Sequence, residues 1–164
     1  EVGVQNPIAT VPEAKLFHRQ VARCLYLGKR TMPEILTAIT FLSTRVTRCD
    51  SDDLKKLQRL LRYIKSHPDR GIRLSPGTAG FHVSCWTDAA YGVHFDGRSH
   101  TGSVITIGQA GPVHAKSSKQ TNVTKSSTEA ELVGLSDSAN QGIFMRNFMI
   151  AQGHAVGPLV IYQD

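Results

Sequence analysis

The chain changes its hydrophobic rhythm near residue 75. From Glu13 to about residue 70, apolar side chains return every three or four residues; beyond residue 80 they alternate with polar ones. The first 12 residues hold two prolines and a glycine, show neither rhythm, and read as a linker or lead-in. A first helix is predicted from Glu13 to about Lys29, with Leu16, Val21, Cys24, Leu25 and Leu27 along one side. Met32-Pro33-Glu34 opens a second, with Thr31 as its N-cap and proline at its first position. Its stripe is Ile35, Ile39, Leu42 and Val46. Asp50-Ser51-Asp52-Asp53 supplies capping and first-turn negative charge for a third helix, which buries Leu54, Leu57, Leu61 and Ile64. His67-Pro68-Asp69-Arg70-Gly71 ends it.

Ser75-Pro76-Gly77-Thr78-Ala79-Gly80 is turn-rich and is the expected boundary between a helical segment, 13–74, and a second domain, 81–164. In that domain Phe81 to Asp88 reads as a strand, Ser99 to Ile107 as another, and Pro112 to about Ser117 as a third after a hairpin at Gly108-Gln109-Ala110-Gly111. Trp86 is expected in the core. Ser126-Ser127-Thr128-Glu129 has capping-box character and opens a long helix that Gly153 ends. Pro158 to Tyr162 is a last short strand. The fold class is α/β: a helical front, then a mixed sheet in the order strand, strand, strand, helix, strand.

Charge sharpens this division. Residues 15–74 carry 14 Lys and Arg against 5 Asp and Glu, a local +9, whereas residues 75–164 carry 5 against 6, a local −1. A basic half beside a near-neutral half suits a backbone-gripping element next to a carboxylate-bearing site, although a solvated helical face would look the same. Three widely spaced cysteines argue against a disulfide framework and fit a reducing compartment. The seven histidines show no ligand spacing, and His94, His100 and His114 are expected as loop or strand residues. No apolar run reaches the roughly 18 residues of a membrane span, and the N-terminus lacks the features of a secretory signal.

Asp88 at the end of the first strand, Glu131 in the first turns of the long helix and Asp164 after the last strand can converge if the helix packs on the sheet. Carboxylates without Cys or His partners select Mg²⁺ or Mn²⁺, and two such ions about 4 Å apart activate water for phosphodiester hydrolysis. Each also has an ordinary role: strand-end Asp forms turns, and first-turn Glu complements the helix dipole. Spacing alone leaves both readings open.

Several stretches, in order, resemble copia-type retrotransposon Pol polyproteins, from the end of the reverse transcriptase into RNase H. Val21-Ala22-Arg23-Cys24-Leu25-Tyr26-Leu27 with Arg30-Thr31-Met32-Pro33-Glu34-Ile35 resembles their "VGxLLYLxxxTRPDI". Leu57 to Lys65 resembles "KRxLRYLKGT", and Trp86-Thr87-Asp88-Ala89-Ala90-Tyr91 is similar to "SDADWAG". Arg98 to Ser103 is similar to "RKSTSGY", Thr124 to Leu132 to "ALSSTEAEY", and Ile161-Tyr162-Gln163-Asp164 to "IYCDN".

The resemblance implies an RNase H-like fold that hydrolyses the RNA strand of RNA–DNA hybrids with two Mg²⁺ (or Mn²⁺) ions on Asp88, Glu131 and Asp164. Glu131 is preferred to Glu129 because the wider superfamily sets its glutamate before an apolar residue, which leaves Glu129 as the cap. Arg59, Arg62 and Lys65 on the third helix, and Lys116, Lys119 and Lys125 after the third strand, are the expected phosphate contacts. The family's fourth acidic or histidine ligand, with a further helix and strand, would lie past residue 164, and its Trp-Lys-Ser-Lys-Lys-Gln run is altered to His114-Ala115-Lys116-Ser117-Ser118-Lys119-Gln120. Expected partners are the hybrid and the rest of a polyprotein, or a larger complex covering the open sheet edge. The setting implied is intracellular, within a cytoplasmic virus-like particle for an active element. The competing expectation is a domesticated, non-catalytic subunit.

Overall fold

The computed structural model describes residues 7–75, 80–109 and 111–163, so Asp164 and most of the turn at 75–80 lie outside the described residues. The chain divides into two compact units, Glu1–Gly71 and Ile72–Asp164.

The first unit is helical. α1 (Val11–Arg30) starts two residues before its periodicity suggests, because Pro12 fits a helix's first turn, where no backbone donor is needed. The Glu13 carboxylate accepts from the Thr10 N–H and hydroxyl at 2.8 and 2.6 Å. Phe17, Val21, Cys24 and Gly28 form its buried row. Thr31 does not cap the next helix; it closes α1, its hydroxyl reaching the Leu27 carbonyl at 3.3 Å. A 3-10 turn (Pro33–Ile35) leads instead into α2 (Leu36–Ser43), which buries Leu36, Ile39 and Leu42 and ends before Val46.

α3 (Ser51–Ser66) is capped as expected: Asp50 accepts from the Asp52 and Asp53 backbone N–H groups, both at 2.9 Å. Its buried row differs from the expected one. Asp53, Leu57 and Leu60 are enclosed while Leu61 is 36% exposed. The Asp53 carboxylate tolerates burial because Arg45 Nε meets it at 2.9 Å and the Asp50 N–H at 3.2 Å.

The second unit places strands β1 (Val83–Ala90), β2 (His100–Ile107) and β3 (Pro112–Lys119) as an antiparallel meander. The long helix α4 (Ser127–Ala151) packs on β1 and β2 and returns the chain to β4 (Val160–Tyr162), which pairs parallel with β1. The sheet order is therefore β3-β2-β1-β4. A parallel neighbour needs such a crossover, and a helix is its usual form. The expected order of elements is the observed one.

α4 faces the sheet with its small residues. Ala130, Gly134, Ser138 and Gly142, four apart, are all buried. A Cβ on Gly134 would stand 3.4 Å from that of Ala89, so the helix lies close to β1. Gly153, at φ +87°, closes the helix: its N–H bonds the Ile150 carbonyl and that of His154 the Met149 carbonyl. Val83, Cys85 and Ile105 form the core, with Met145, Leu159 and Ile161 packed against it. Trp86 is not part of it. It is 43% exposed and stacks on Tyr162, ring centroids 5.2 Å apart. The α4 side of β1 is taken by Cys85, Thr87 and Ala89, and strand alternation puts Trp86 on the other side.

Candidate functional site

Asp88 follows the same alternation. Thr87 turns toward α4, where its hydroxyl lies 3.0 Å from that of Ser138, so Asp88 emerges exposed on the outer face with Trp86. Its partner across the ladder is Gly102, which leaves open space above β2.

Glu131 reaches the same end of the sheet from α4. Its Oε1 accepts from the Ala89 N–H at 3.2 Å. That donor is on β1 beyond the pairing with β4, whose last partner pair is Trp86 with Tyr162. The Gln163 side-chain amide donates to the Glu131 carbonyl at 3.0 Å and to its Oε2 at 3.2 Å. Glu131 is thereby fixed between the residue after Asp88 and the residue before Asp164. Glu129, two positions earlier, points elsewhere: its Oε2 accepts from the Lys125 N–H at 2.6 Å while the Ser126 hydroxyl caps the Glu129 N–H. It is a helix-end residue.

The donor set at this end is all oxygen, which suits a hard divalent cation. The residues expected to hold one are Asp88, Glu131 and Asp164, the last of which lies outside the described residues. Among the described residues no group of three His, Cys, Asp or Glu side chains is placed to hold a metal.

The expected phosphate contacts separate into two kinds. Arg59, Arg62 and Lys65 are exposed on α3, and Arg62 lies opposite its buried row. Arg59 also borders a cavity of about 670 Å³ with apolar walls from Ile35, Ala38, Phe41, Leu42 and Leu60. In the sheet unit, Lys119 pairs with Asp96 at 2.6 Å and Lys116 with Asp137 at 4.0 Å; Lys125 is exposed. Surface pairs of this kind are worth about 0–1 kcal/mol, so neither holds its lysine firmly.

Sequence reasoning missed one cluster. His94 Nε2 lies 3.0 Å from His100 Nδ1, and His100 Nε2 lies 2.7 Å from the Ser117 hydroxyl. Only the closing of the β1–β2 connection brings these rings together, so no linear spacing announces them. Burial holds both histidines below the ordinary value of 6.5; Lys119 adds to this at His94, and His94 adds to it at His100. A depressed histidine favours the fold while neutral: the contribution is complete above pH 6.5 and is lost as pH falls through the folded-state values. The melting temperature of the sheet unit is expected to fall between about pH 7.5 and 5.5, and His100→Gln to flatten that slope. Circular dichroism melts across this range check it; a slope that His100→Gln leaves unchanged counts against the cluster.

The described fold is thus a helical unit followed by an α/β unit in which the Glu131 carboxylate bonds the backbone N–H next to Asp88. The relatives found by sequence agree with the motifs. The chain is 30% identical over 173 aligned positions to "Retrovirus-related Pol polyprotein from transposon RE2" of Arabidopsis thaliana, covering 98% of this chain. With "Retrovirus-related Pol polyprotein from transposon RE1" of the same plant it shares 29% over the same span. The similarity to copia-type retrotransposon Pol polyproteins therefore covers 98% of the chain. It spans 12% of the length of either polyprotein. "Secreted RxLR effector protein 161" of Plasmopara viticola is 28% identical over 126 positions, covering 76% of this chain and 87% of that protein. No family model matches the sequence, and no solved structure matches it significantly. No helix among the described residues is long and apolar enough to cross a membrane.

Proposed function

We propose that this chain is the RNase H-bearing part of a copia-like Pol polyprotein, hydrolysing the RNA strand of RNA–DNA hybrids inside the particle of the element. Asp88, Glu131 and Asp164 are its metal-holding carboxylates, and Arg59, Arg62, Lys65, Lys116, Lys119 and Lys125 grip phosphates. The observation that supports this reading best is the position of Glu131, bonded at once to Ala89 and Gln163.

Two divalent ions on these oxygens would supply an activated water and neutralise the leaving oxygen. The chain's own contribution is placement. β1 and its ladder with β2 hold Asp88 on a rigid strand, and α4 delivers Glu131 from a helix seated close on the sheet. Ala89 and Gln163 fix the Glu131 carboxylate by donating to its two different oxygens. Errors near 1 Å in such a site cost about 100-fold, which gives these second contacts their value.

A second reading, a retrotransposon-derived module without catalysis, is favoured by one finding: the stretch matched here makes up 87% of the Plasmopara viticola relative, a far smaller protein than the plant polyproteins. The two readings separate on a labelled RNA–DNA hybrid incubated with the parent chain extended past Asp164. Mg²⁺-dependent cleavage, lost on Asp88→Asn, is the expected result. Cleavage that survives Asp88→Asn sinks the site assignment, and no cleavage by the folded, extended wild type leaves the second reading standing.

A further inference from the structure

We infer that the solvent face of α1 is a second surface for a nucleic-acid phosphodiester backbone, in addition to α3. This deepens the nucleic-acid reading above and rests on it for the identity of the polyanion.

The positive charge of the molecule belongs to its helical unit. Residues 1–71 hold 13 Lys and Arg against 7 Asp and Glu, while residues 72–164 hold 6 of each. Part of the helical unit's charge is spent internally. Arg45 pairs with Asp50 and Asp53, Lys56 with Asp52, and Arg70 with Glu34. On α1 the five cations Lys15, Arg19, Arg23, Lys29 and Arg30 are exposed and have no acidic partner among the described residues. The single acid of that helix, Glu13, is turned back onto Thr10.

Helical geometry collects these side chains. At about 100° per residue, Lys15, Tyr26, Arg19, Arg30 and Arg23 fall within an arc of about 80°. That arc is centred about 170° from the buried row of Phe17, Val21, Cys24 and Gly28. Lys15, Arg19 and Arg23 are four apart, about 6 Å of rise each, so they form a line along the axis. Like charges at this spacing disfavour a helix, and a polyanion laid along the line removes the repulsion.

Two features favour nucleic acid over an anionic membrane surface. The apolar row of α1 is already buried within the helical unit, and the cationic arc has Pro12 within it and Leu16 at its edge, too few aliphatic side chains to form the apolar face by which a helix lies in a bilayer. The arc does contain Tyr26, 69% exposed, with the Arg30 guanidinium 5.7 Å from its ring centroid. An exposed ring beside guanidinium forks offers base stacking and bidentate phosphate contact together.

The test is the salt dependence of binding by the full 164-residue chain, read as fluorescence anisotropy of a labelled RNA–DNA hybrid and of a labelled single-stranded RNA. Neutralising Lys15→Gln, Arg19→Gln and Arg23→Gln together is expected to weaken binding at least about tenfold near 0.1 M salt. It should also lower the slope of log affinity against log salt by roughly 0.7–0.9 per charge removed. Arg19→Lys with Arg23→Lys should restore most of the slope. If the triple variant fails to fold by circular dichroism, Arg19→Gln alone carries the same reading at one charge. The hybrid and single-strand arms show which polyanion is held. A folded triple variant with the wild-type slope on both overturns the inference. So does charge-dependent binding to phosphatidylserine vesicles when neither nucleic acid responds. Because cleavage is not measured, a failed nuclease reading leaves this result interpretable.

Discussion

Under the proposed nuclease reading, Glu131→Gln is expected to lower hybrid cleavage by the extended chain about 100-fold or more, while Glu129→Gln is expected to leave it within a few-fold of wild type. The two glutamates are neighbours on one helix, but they face about 200° apart and have different duties. Glu131 lies at the sheet end, with Ala89 donating to one oxygen and Gln163 to the other. A glutamine keeps the shape and one acceptor but removes the charge a divalent ion needs, and loss of one preorganised electrostatic group costs about 100- to 1000-fold in an enclosed site. Glu129 bonds the Lys125 backbone N–H, and its loss weakens a helix end by about 1 kcal/mol without touching the strands. Single-turnover cleavage with matched melting curves for both variants measures the difference. Equal losses, or a larger loss at Glu129, would reassign the second carboxylate.

Phe17→Ala destabilises the helical unit by about 3–5 kcal/mol. Phe17 is fully enclosed, and its removal leaves a cavity the size of a ring in a unit of about 70 residues. Units of that size bury little surface to begin with, so such a loss approaches their whole stability. Leu61→Ala, at a side chain 36% exposed, should cost less than about 1 kcal/mol although it is apolar and in the middle of a helix. Urea titration followed at 222 nm distinguishes them. Comparable midpoint shifts for the two variants would show that the buried row of α3 includes Leu61 after all.

That contrast also shows where the sequence was readable. Among the described residues, period found the four helices and the three long strands, and capping residues marked α3 and α4, because those signals are local: Asp50 before α3, Ser126 before α4, Gly153 after it. The choice between Leu60 and Leu61 was not local. The two lie about 100° apart, and the correct row continues through Asp53, a carboxylate that the pattern alone excludes from a core. Its burial depends on Arg45, eight residues away across a turn. Trp86 misled for a related reason. The most apolar residue of β1 was expected inside, but α4 approaches on Gly134 and Ser138, and only small side chains fit beneath it. Asp88 and Glu131 were singled out from motifs as candidates, whereas the Gln163 contact and the His94–His100 pair exist only once distant strands have met.

The placement of Trp86 gives the molecule a built-in optical label. It is the chain's single tryptophan, and its ring stacks nearly parallel to that of Tyr162, 13° between planes, on the outer face that also bears Asp88. Indole emission therefore originates from one known spot, half in water, on the strand that carries the first carboxylate. A segment or ligand that covers this face, or draws β4 away from β1, must change the colour or brightness of that signal, so occupancy of the face can be followed in the unmodified protein.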